Sequence, residues 1–410
     1  MYKTHDKCRI CRGKNLKQFL DLGAMPPANS FLKEKDLAEK ELKFPLRVLF
    51  CEDCGLSQLG EVVDPDILFK NYVYLSSGMP KKFSDHFKDY ADEMVGRFIK
   101  SKEDLVVEIG SNDGILLSAF KNSARILGVD PAENIAKIAN EKGIETIADY
   151  FSEKLAGGIA GKYGRAKIIA GNNVIMHIND YDDLFKGIKA LLADDGVFVF
   201  EAPYMRDMFD NFAFDTVYHE HLSYLTARPF TKLFSRFGME IFDIKEFPVH
   251  GVSLRICAGN IGKHQILPSV AEYLKSEKDM GLDKFEAYLE LAEKISVIKK
   301  NVLSAIVDLK KNGKNIAVYG APAKGNTLLN YLGAGRDIFD YAVDDLPSKI
   351  GSYTPGTRIP VISSEKARKN PPDYYLLLAW NYKDVILEKE KEFRQKGGKF
   401  IIFIPELEII

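Results

Sequence analysis

The stretch Val106-Val107-Glu108-Ile109-Gly110-Ser111-Asn112-Asp113-Gly114 constrains this chain more than any other. Its β-branched start suits a buried parallel strand, and the two glycines of the acidic turn let a ligand approach the backbone where a side chain would collide. Ile115, Leu116, Leu117, Ala119 and Phe120 then recur at roughly helical spacing. Strand, turn and helix form half of a βαβ unit, whose site lies at the strand's carboxyl end.

A carboxylate two residues before the first glycine would repel a pyrophosphate, whereas a cationic ligand would be welcome. Glu-x-Gly-x-x-x-Gly resembles the first motif of class I S-adenosylmethionine-dependent methyltransferases. That resemblance implies that Glu108 orients the methionine part of the cofactor while Gly110, Asn112 and Gly114 admit it. Ile126-Leu127-Gly128-Val129-Asp130 reads as the next strand, and Asp130 stands where an acid accepts hydrogen bonds from ribose hydroxyls. NAD-binding folds place an acid there too, so Asp130 argues for adenosine. Glu108 and the absence of Gly-x-Gly-x-x-Gly select the cofactor.

At 410 residues two or three domains are expected. Lys plus Arg number 57 against 58 for Asp plus Glu, so no net field attracts a nucleic acid or an anionic membrane. The N-terminus has no apolar leader and no apolar run approaches a membrane span, so a cytoplasmic protein is expected. Four of the five cysteines form two knuckles, Cys8-x-x-Cys11 and Cys51-x-x-Cys54. In a reducing compartment they read as a closed four-sulfur zinc site with no open position for water, hence structural. A loop-rich module of this size needs such a staple. Cys257, alone in an apolar run, reads as core.

Tyr72 and Tyr74 lie in the link to the second domain, just ahead of a polar helix expected from about Lys81 to Lys100. Asp149-Tyr150-Phe151 follows the third expected strand, where an acid and an aromatic would hold adenine. The fourth strand, Lys167 to Val174, carries Asn172 and Asn173 to the cleft, with His177 one helical turn beyond. Gly196 to Tyr204 reads as a fifth.

Tyr218-His219-Glu220-His221-Leu222-Ser223-Tyr224 places two of the chain's seven histidines beside a glutamate and two tyrosines. His219 and His221 would share a face only on a strand, which makes a poor metal site. Acid-base work suits them better, because imidazole titrates near neutrality and a carboxylate or phenol can fix its tautomer. The run from Val249 to Arg255 could return a strand to the same cleft, with Arg255 meeting an anionic substrate group. Residues 268–311 read as helical, with an apolar stripe of Phe285, Tyr288, Leu289, Ala292, Ile295, Ile298, Val302, Ile306 and Leu309 bridging two domains. A second strand-turn-helix begins at Ile316, where Gly320, Gly325, Lys324, Asn326 and Thr327 suit a phosphate at a helix N-terminus.

Taken together, the chain resembles the nucleotide-sugar C-methyltransferases of deoxysugar biosynthesis, which methylate C-3 of a dTDP-4-keto-6-deoxyhexose. The resemblance runs through both knuckles, Glu-x-Gly-Ser-Asn-Asp-Gly, Asn-Asn-Val, Tyr-His-Glu-His, His-Gly-x-Ser-Leu-Arg, Gly-Ala-x-Ala-Lys-Gly-Asn-Thr and Thr-Pro-Gly-Thr. It implies that His221 is the base, with Glu220 and Tyr218 around it and Tyr72 or Tyr74 entering the site. Val252 and Arg358 depart from the family pattern, which more often has glycine and histidine there.

The expected fold class is α/β: a zinc-binding module over residues 1–75, a class I methyltransferase Rossmann-like domain over 76–265, and a second Rossmann-like α/β domain over 266–410, with bridging helices, that binds the nucleotide sugar. The expected cofactors are S-adenosylmethionine and structural Zn²⁺. The expected partner is a nucleotide-linked ketosugar, with no nucleic acid and no membrane, on a monomer. A zinc-ribbon RNA base methyltransferase would share the cysteines and Glu108 but would need a basic stripe. A nucleotide-sugar sensor would not need to retain Glu108, Asp130 and His221.

Overall fold

The computed structural model describes residues 1–69, 81–249 and 251–410. Tyr72, Tyr74 and His250 therefore lie outside the described residues. Leu105–Ile109 is buried at every position, and so can only be an inner strand of a sheet covered on both faces. It pairs in parallel with Arg125–Val129 on one side and Ala166–Asn172 on the other. The seven-stranded sheet runs Met239–Phe247, Ser253–Asn260, Leu192–Pro203, Ala166–Asn172, Leu105–Ile109, Arg125–Val129, Thr146–Ile147. Ser253–Asn260 is antiparallel to both of its neighbours, while the five strands from Leu192–Pro203 to Thr146–Ile147 are parallel. The order reverses between Leu105–Ile109 and Ala166–Asn172, and the crevice that a ligand occupies in such sheets opens there.

The helices start where their caps dictate. Ser152 accepts from the Leu155 amide ahead of Glu153–Tyr163, and Asp180 accepts from the Asp182 and Asp183 amides ahead of Tyr181–Leu191. Ala227–Arg236 has no capping side chain of its own. Its Ala227 and Arg228 amides are met by Glu277, a buried carboxylate from the later helix Pro268–Asp279.

The N-terminal sheet is four-stranded in the order Ser223–Tyr224, Ser57–Leu59, Phe44–Cys51, Leu16–Met25. Its first strand comes from the middle of the chain, beyond Leu192–Pro203 of the seven-stranded sheet, and follows the histidine cluster directly. The Leu59 amide also donates to the Leu222 carbonyl at 3.0 Å. The two regions thus share backbone pairing.

The expected single helical stretch over 268–311 is two helices, Pro268–Asp279 and Phe285–Lys311. Tyr288 of the longer one packs on Phe50 at 4.6 Å and Phe19 at 5.0 Å, so the apolar stripe does join the N-terminal sheet to the C-terminal part. Leu289 is the exception in that stripe, being 43% exposed. The C-terminal sheet orders Val361–Ile362, Ala342–Val343, Ile316–Tyr319, Tyr374–Leu377, Lys399–Ile402, Glu408–Ile409, parallel except for the last strand. Helix Ala323–Leu332 lies so close to it that a Cβ on Gly325 would sit 2.6 Å from Leu378. Among the described residues no helix is long and apolar enough to cross a membrane.

Candidate active site and metal centre

The Sγ atoms of Cys8, Cys11, Cys51 and Cys54 all lie within 4.8 Å of one another, with Cys8–Cys54 and Cys11–Cys51 at 3.5 Å. A tetrahedral zinc with Zn–S of about 2.3 Å needs sulfurs at such separations, and thiolates are the donors it prefers. Three of the four are buried, and the set has the closed, all-sulfur form of a structural site. Arg9, between the first two cysteines, is wholly buried. Its guanidinium donates to the Leu59 carbonyl at 2.8 Å and to Asn179 at 3.2 Å, tying the knuckle to both regions of the chain.

At the crevice, Glu108 is 4% exposed and its Oε2 has no hydrogen-bond partner. Burial, with Asp130 and Asp113 nearby, pushes its carboxyl well above the usual range, and the Asn172 amide beside it pulls the other way. Asn172 Nδ2 and Asn173 Oδ1 are likewise buried without partners. An orphan carboxylate oxygen and amide groups facing one crevice fit the ammonium and carboxylate of an amino-acid moiety. The turn is built by backbone: Gly110, Asn112 and Gly114 all have positive φ, at 67°, 49° and 80°. A Cβ on Gly110 would come within 2.8 Å of Val174 and one on Gly114 within 2.8 Å of Ile144. Packing therefore requires both glycines in addition to any ligand.

Asp130 accepts from the Asn112 amide at 2.8 Å and the Ala132 amide at 3.0 Å, which rigidifies the acid where a ribose would lie. Asp149 and Tyr150 are exposed, and Asp130 is among the charges that bear on Tyr150. Phe151 departs from the expected adenine-facing position. It is partly buried and packs against the core beside Gly187, where a Cβ would sit 2.8 Å from its ring.

Tyr218 to His221 form a turn, not a strand, and the two histidines face apart. His219 Nε2 donates to the Phe44 carbonyl at 3.1 Å, in the N-terminal sheet. His221 Nδ1 donates to the Thr216 carbonyl at 2.8 Å, and its ring lies against Tyr218 with centroids 4.0 Å apart. A carbonyl only accepts, so the neutral His221 ring carries its basic lone pair on Nε2. His177 donates from Nδ1 to the Glu220 carbonyl at 2.6 Å, with its ring 5.1 Å from that of His221. Burial pushes both His177 and His219 down to about 4, so both are neutral near pH 7. Glu220 is buried, accepts from Asn29 Nδ2 at 2.7 Å, and is pushed up by desolvation to about 7.

A small, partly open pocket lies beside this loop, lined by His221, Thr216, Asp207, Tyr204, Tyr224 and Lys324, among others. Lys324 comes from helix Ala323–Leu332, so the C-terminal domain contributes to the lining as well. Asp215, fully buried, accepts from Trp380 Nε1 at 2.7 Å across the same junction.

Several expected substrate contacts are placed elsewhere. Arg255 is buried between Glu201, at 2.6 Å, and Glu93, at 2.8 Å, and is stacked on Tyr90 and Phe247. Its charge is spent holding helix Lys81–Phe98 on the sheet, so no face of it is turned to a substrate anion. Asn326 is fully buried and donates to the Ala28 carbonyl at 2.8 Å, and Thr327 is also buried. Asn326 docks the N-terminal region, leaving Lys324 as the member of that motif at the cavity. Arg358, with φ of 56°, reaches the Leu37 and Glu39 carbonyls and Glu41, a docking role that accounts for its presence. Sequence reasoning missed Asp207, Asp215, Thr216 and Asn29. Trp380, the chain's single tryptophan, was the available signal.

Fold and crevice define a class I S-adenosylmethionine-dependent methyltransferase carrying a zinc-binding module. Three family descriptions match in succession: a zinc binding domain over residues 8–69, a methyltransferase domain over 83–244 and a C-methyltransferase C-terminal domain over 248–405. C-methyltransferase NovU of Streptomyces niveus is 38% identical over 407 residues, 99% of this chain and 97% of its own length. The chain belongs to this C-methyltransferase family, and the RNA methyltransferase alternative is not favoured. Among solved structures, magnesium protoporphyrin IX methyltransferase of Synechocystis PCC 6803 with bound SAH has a TM-score of 0.35 at 12% identity, covering 43% of this chain and 83% of its own. A methyltransferase of Clostridium acetobutylicum has 0.32 at 14%, covering 44% and 92%.

Proposed function

We propose that this C-methyltransferase moves the methyl of S-adenosylmethionine to a sugar carbon, C-3, of a nucleotide-linked 4-keto-deoxysugar through a base-generated enolate. The observation that supports the reading is the pocket whose lining includes both His221 and Lys324, an imidazole and an ammonium on one space. Residues 1–75, 76–265 and 266–410 serve as metal module, methyltransferase domain and nucleotide-sugar domain.

A sulfonium methyl is already activated, so the protein's task is to make and position the carbon nucleophile. A 4-ketone acidifies the adjacent C–H, His221 Nε2 takes that proton, and the electron pair becomes the enolate that attacks the methyl. Donors at the ketone oxygen hold the developing charge, for which Tyr218, Tyr72, Tyr74 and Lys324 are available. Glu220 sits behind His221, with His177 on its backbone. Glu108, Gly110, Asn112, Gly114, Asp130, Asn172, Asn173, Asp149 and Tyr150 frame the cofactor. The zinc has no chemical step. The test is mass spectrometry of the full-length protein with S-adenosylmethionine and a panel of nucleotide 4-ketosugars, read as the mass gain of one methylene. No gain on any ketosugar, with gain on another carbon acid, overturns the substrate assignment.

A further inference from the structure

The Glu220 side chain meets the rest of the protein through a residue of the metal-binding region. Asn29 Nδ2 lies 2.7 Å from Glu220 Oε1, and Glu220 is 2% exposed. Asn29 itself is placed from the other side. The carbonyl of the preceding residue, Ala28, accepts from Asn326 Nδ2 of the C-terminal helix at 2.8 Å, and both of those residues are buried. The segment Pro26-Pro27-Ala28-Asn29 is thus held by the C-terminal domain at one residue and holds the histidine loop at the next.

We propose that Asn29 is a positioning residue for proton transfer: its side-chain amide fixes the Glu220 carboxyl in the loop that presents His221 to the cavity. This rests on the reading of that loop as the acid-base centre. The geometry gives a definite route. Glu220 lies between His219, anchored on Phe44, and His221, and its carbonyl accepts the Nδ1 proton of His177. Without the amide, the loop that carries the Glu220 carbonyl, which orients His177, and the peptide leading into His221 loses a tether. Burial raises the carboxyl and the amide acts against it, because a donor 2.7 Å away favours the ionised form in a buried site. Among the described residues the Glu220 side chain is met by neutral Asn29 from the N-terminal segment, while its titratable neighbours are Tyr218, His219 and His221 in its own loop and His177, bonded to its carbonyl. With His177 and His219 uncharged near pH 7, the amide is the contact that stabilises the anion.

The test compares wild type, Asn29→Leu and Glu220→Gln as full-length, zinc-loaded protein with S-adenosylhomocysteine bound. The protonated-carboxyl infrared band that disappears in Glu220→Gln is titrated with pH. A net worth of roughly 1.5 kcal/mol for a hydrogen bond to a charged group is about one pKa unit, so in Asn29→Leu the titration should move up by about one pH unit. The acid limb of turnover should move with it, while S-adenosylhomocysteine affinity stays unchanged. If Asn29→Leu fails to fold, Asn29→Ser, with a shorter donor, takes the same measurement. An unmoved titration in a folded variant overturns the proposal, even if turnover falls. A wild type that methylates no ketosugar counts against the substrate assignment alone, because the infrared titration needs no substrate.

Discussion

Trp380 Nε1 donates to Asp215 Oδ2 at 2.7 Å, joining the C-terminal domain to the turn that orients the proposed base. Asp215 is fully buried, its Oδ1 has no partner, and the next residue, Thr216, offers the carbonyl that holds His221 Nδ1. The C-terminal domain therefore reaches the base through one indole, one carboxylate and one peptide.

Replacing Trp380 with Phe leaves that carboxylate without its donor, at a cost of about 1–3 kcal/mol. Burial already raises the Asp215 carboxyl above its ordinary range, so the folded protein binds its proton more tightly than the unfolded chain does. Such a group costs stability as pH rises through its folded-state value, and losing the indole donor enlarges that cost. Urea melts of Trp380→Phe should show a deficit that grows with pH. A deficit independent of pH would mean that the indole is only filling space.

Removal of the metal should reach further than the knuckles. Structural zinc supplies folding energy on the order of 10 kcal/mol, and the sheet it staples takes Ser223–Tyr224 as its edge strand. Chelation or Cys51→Ala should therefore abolish turnover while leaving S-adenosylhomocysteine binding largely in place, because Glu108 and Asp130 lie on a different sheet. Metal analysis should find one zinc per chain. Full activity in metal-free protein would contradict this coupling.

Much of this was legible in the sequence, for physical reasons that also mark where it stopped. Leu105–Ile109 could only be an inner parallel strand because nothing in it tolerates water except Glu108, and that exception identified the cofactor. The paired cysteines announce their metal by spacing. Arg255 was misread because a charged residue on an apolar strand looks like a ligand for a substrate anion, while its partners Glu93 and Glu201 are far away in sequence. The strand Ser223–Tyr224 is only two residues long and pairs across the chain with Ser57–Gln58, so no local periodicity could announce it.

Arg255→Met tests that correction. Breaking the buried pair leaves Glu201 with His86 as its remaining partner, while Glu93 keeps Arg97 and Lys245, and should destabilise the protein by about 3–5 kcal/mol. Substrate KM at a permissive temperature should not change. A raised KM with unchanged melting would return Arg255 to the substrate site.

Glu108 makes a prediction about protons. Its carboxyl is raised well above the ordinary range in the free protein, chiefly by burial, and a bound ammonium would favour the ionised form. Cofactor binding should then release a proton, and affinity should rise with pH until Glu108 ionises unaided. Calorimetry of S-adenosylhomocysteine in buffers of different ionisation enthalpy measures the release directly. Glu108→Gln should bind more weakly and release none. Proton release that survives this substitution would assign the titration to another group.

His221 carries the last prediction. Its Nδ1 proton is committed to the Thr216 carbonyl, so the lone pair that could take a proton from carbon is on Nε2, in a residue that lines the cavity. His221→Asn should retain cofactor and substrate binding yet lose turnover, since the loop is anchored independently through His219 and Asn29. General-base contributions are typically 100- to 10,000-fold, and the loss in kcat should fall in that range. Exchange separates base from scaffold. With S-adenosylhomocysteine in place of the methyl donor, wild type in D₂O should wash out the hydrogen beside the ketone of a bound 4-ketosugar, whereas His221→Asn should not. Neutral His177, whose ring lies 5.1 Å away, is the nearest substitute, so exchange that persists in His221→Asn and vanishes in His177→Asn would move the base to that ring.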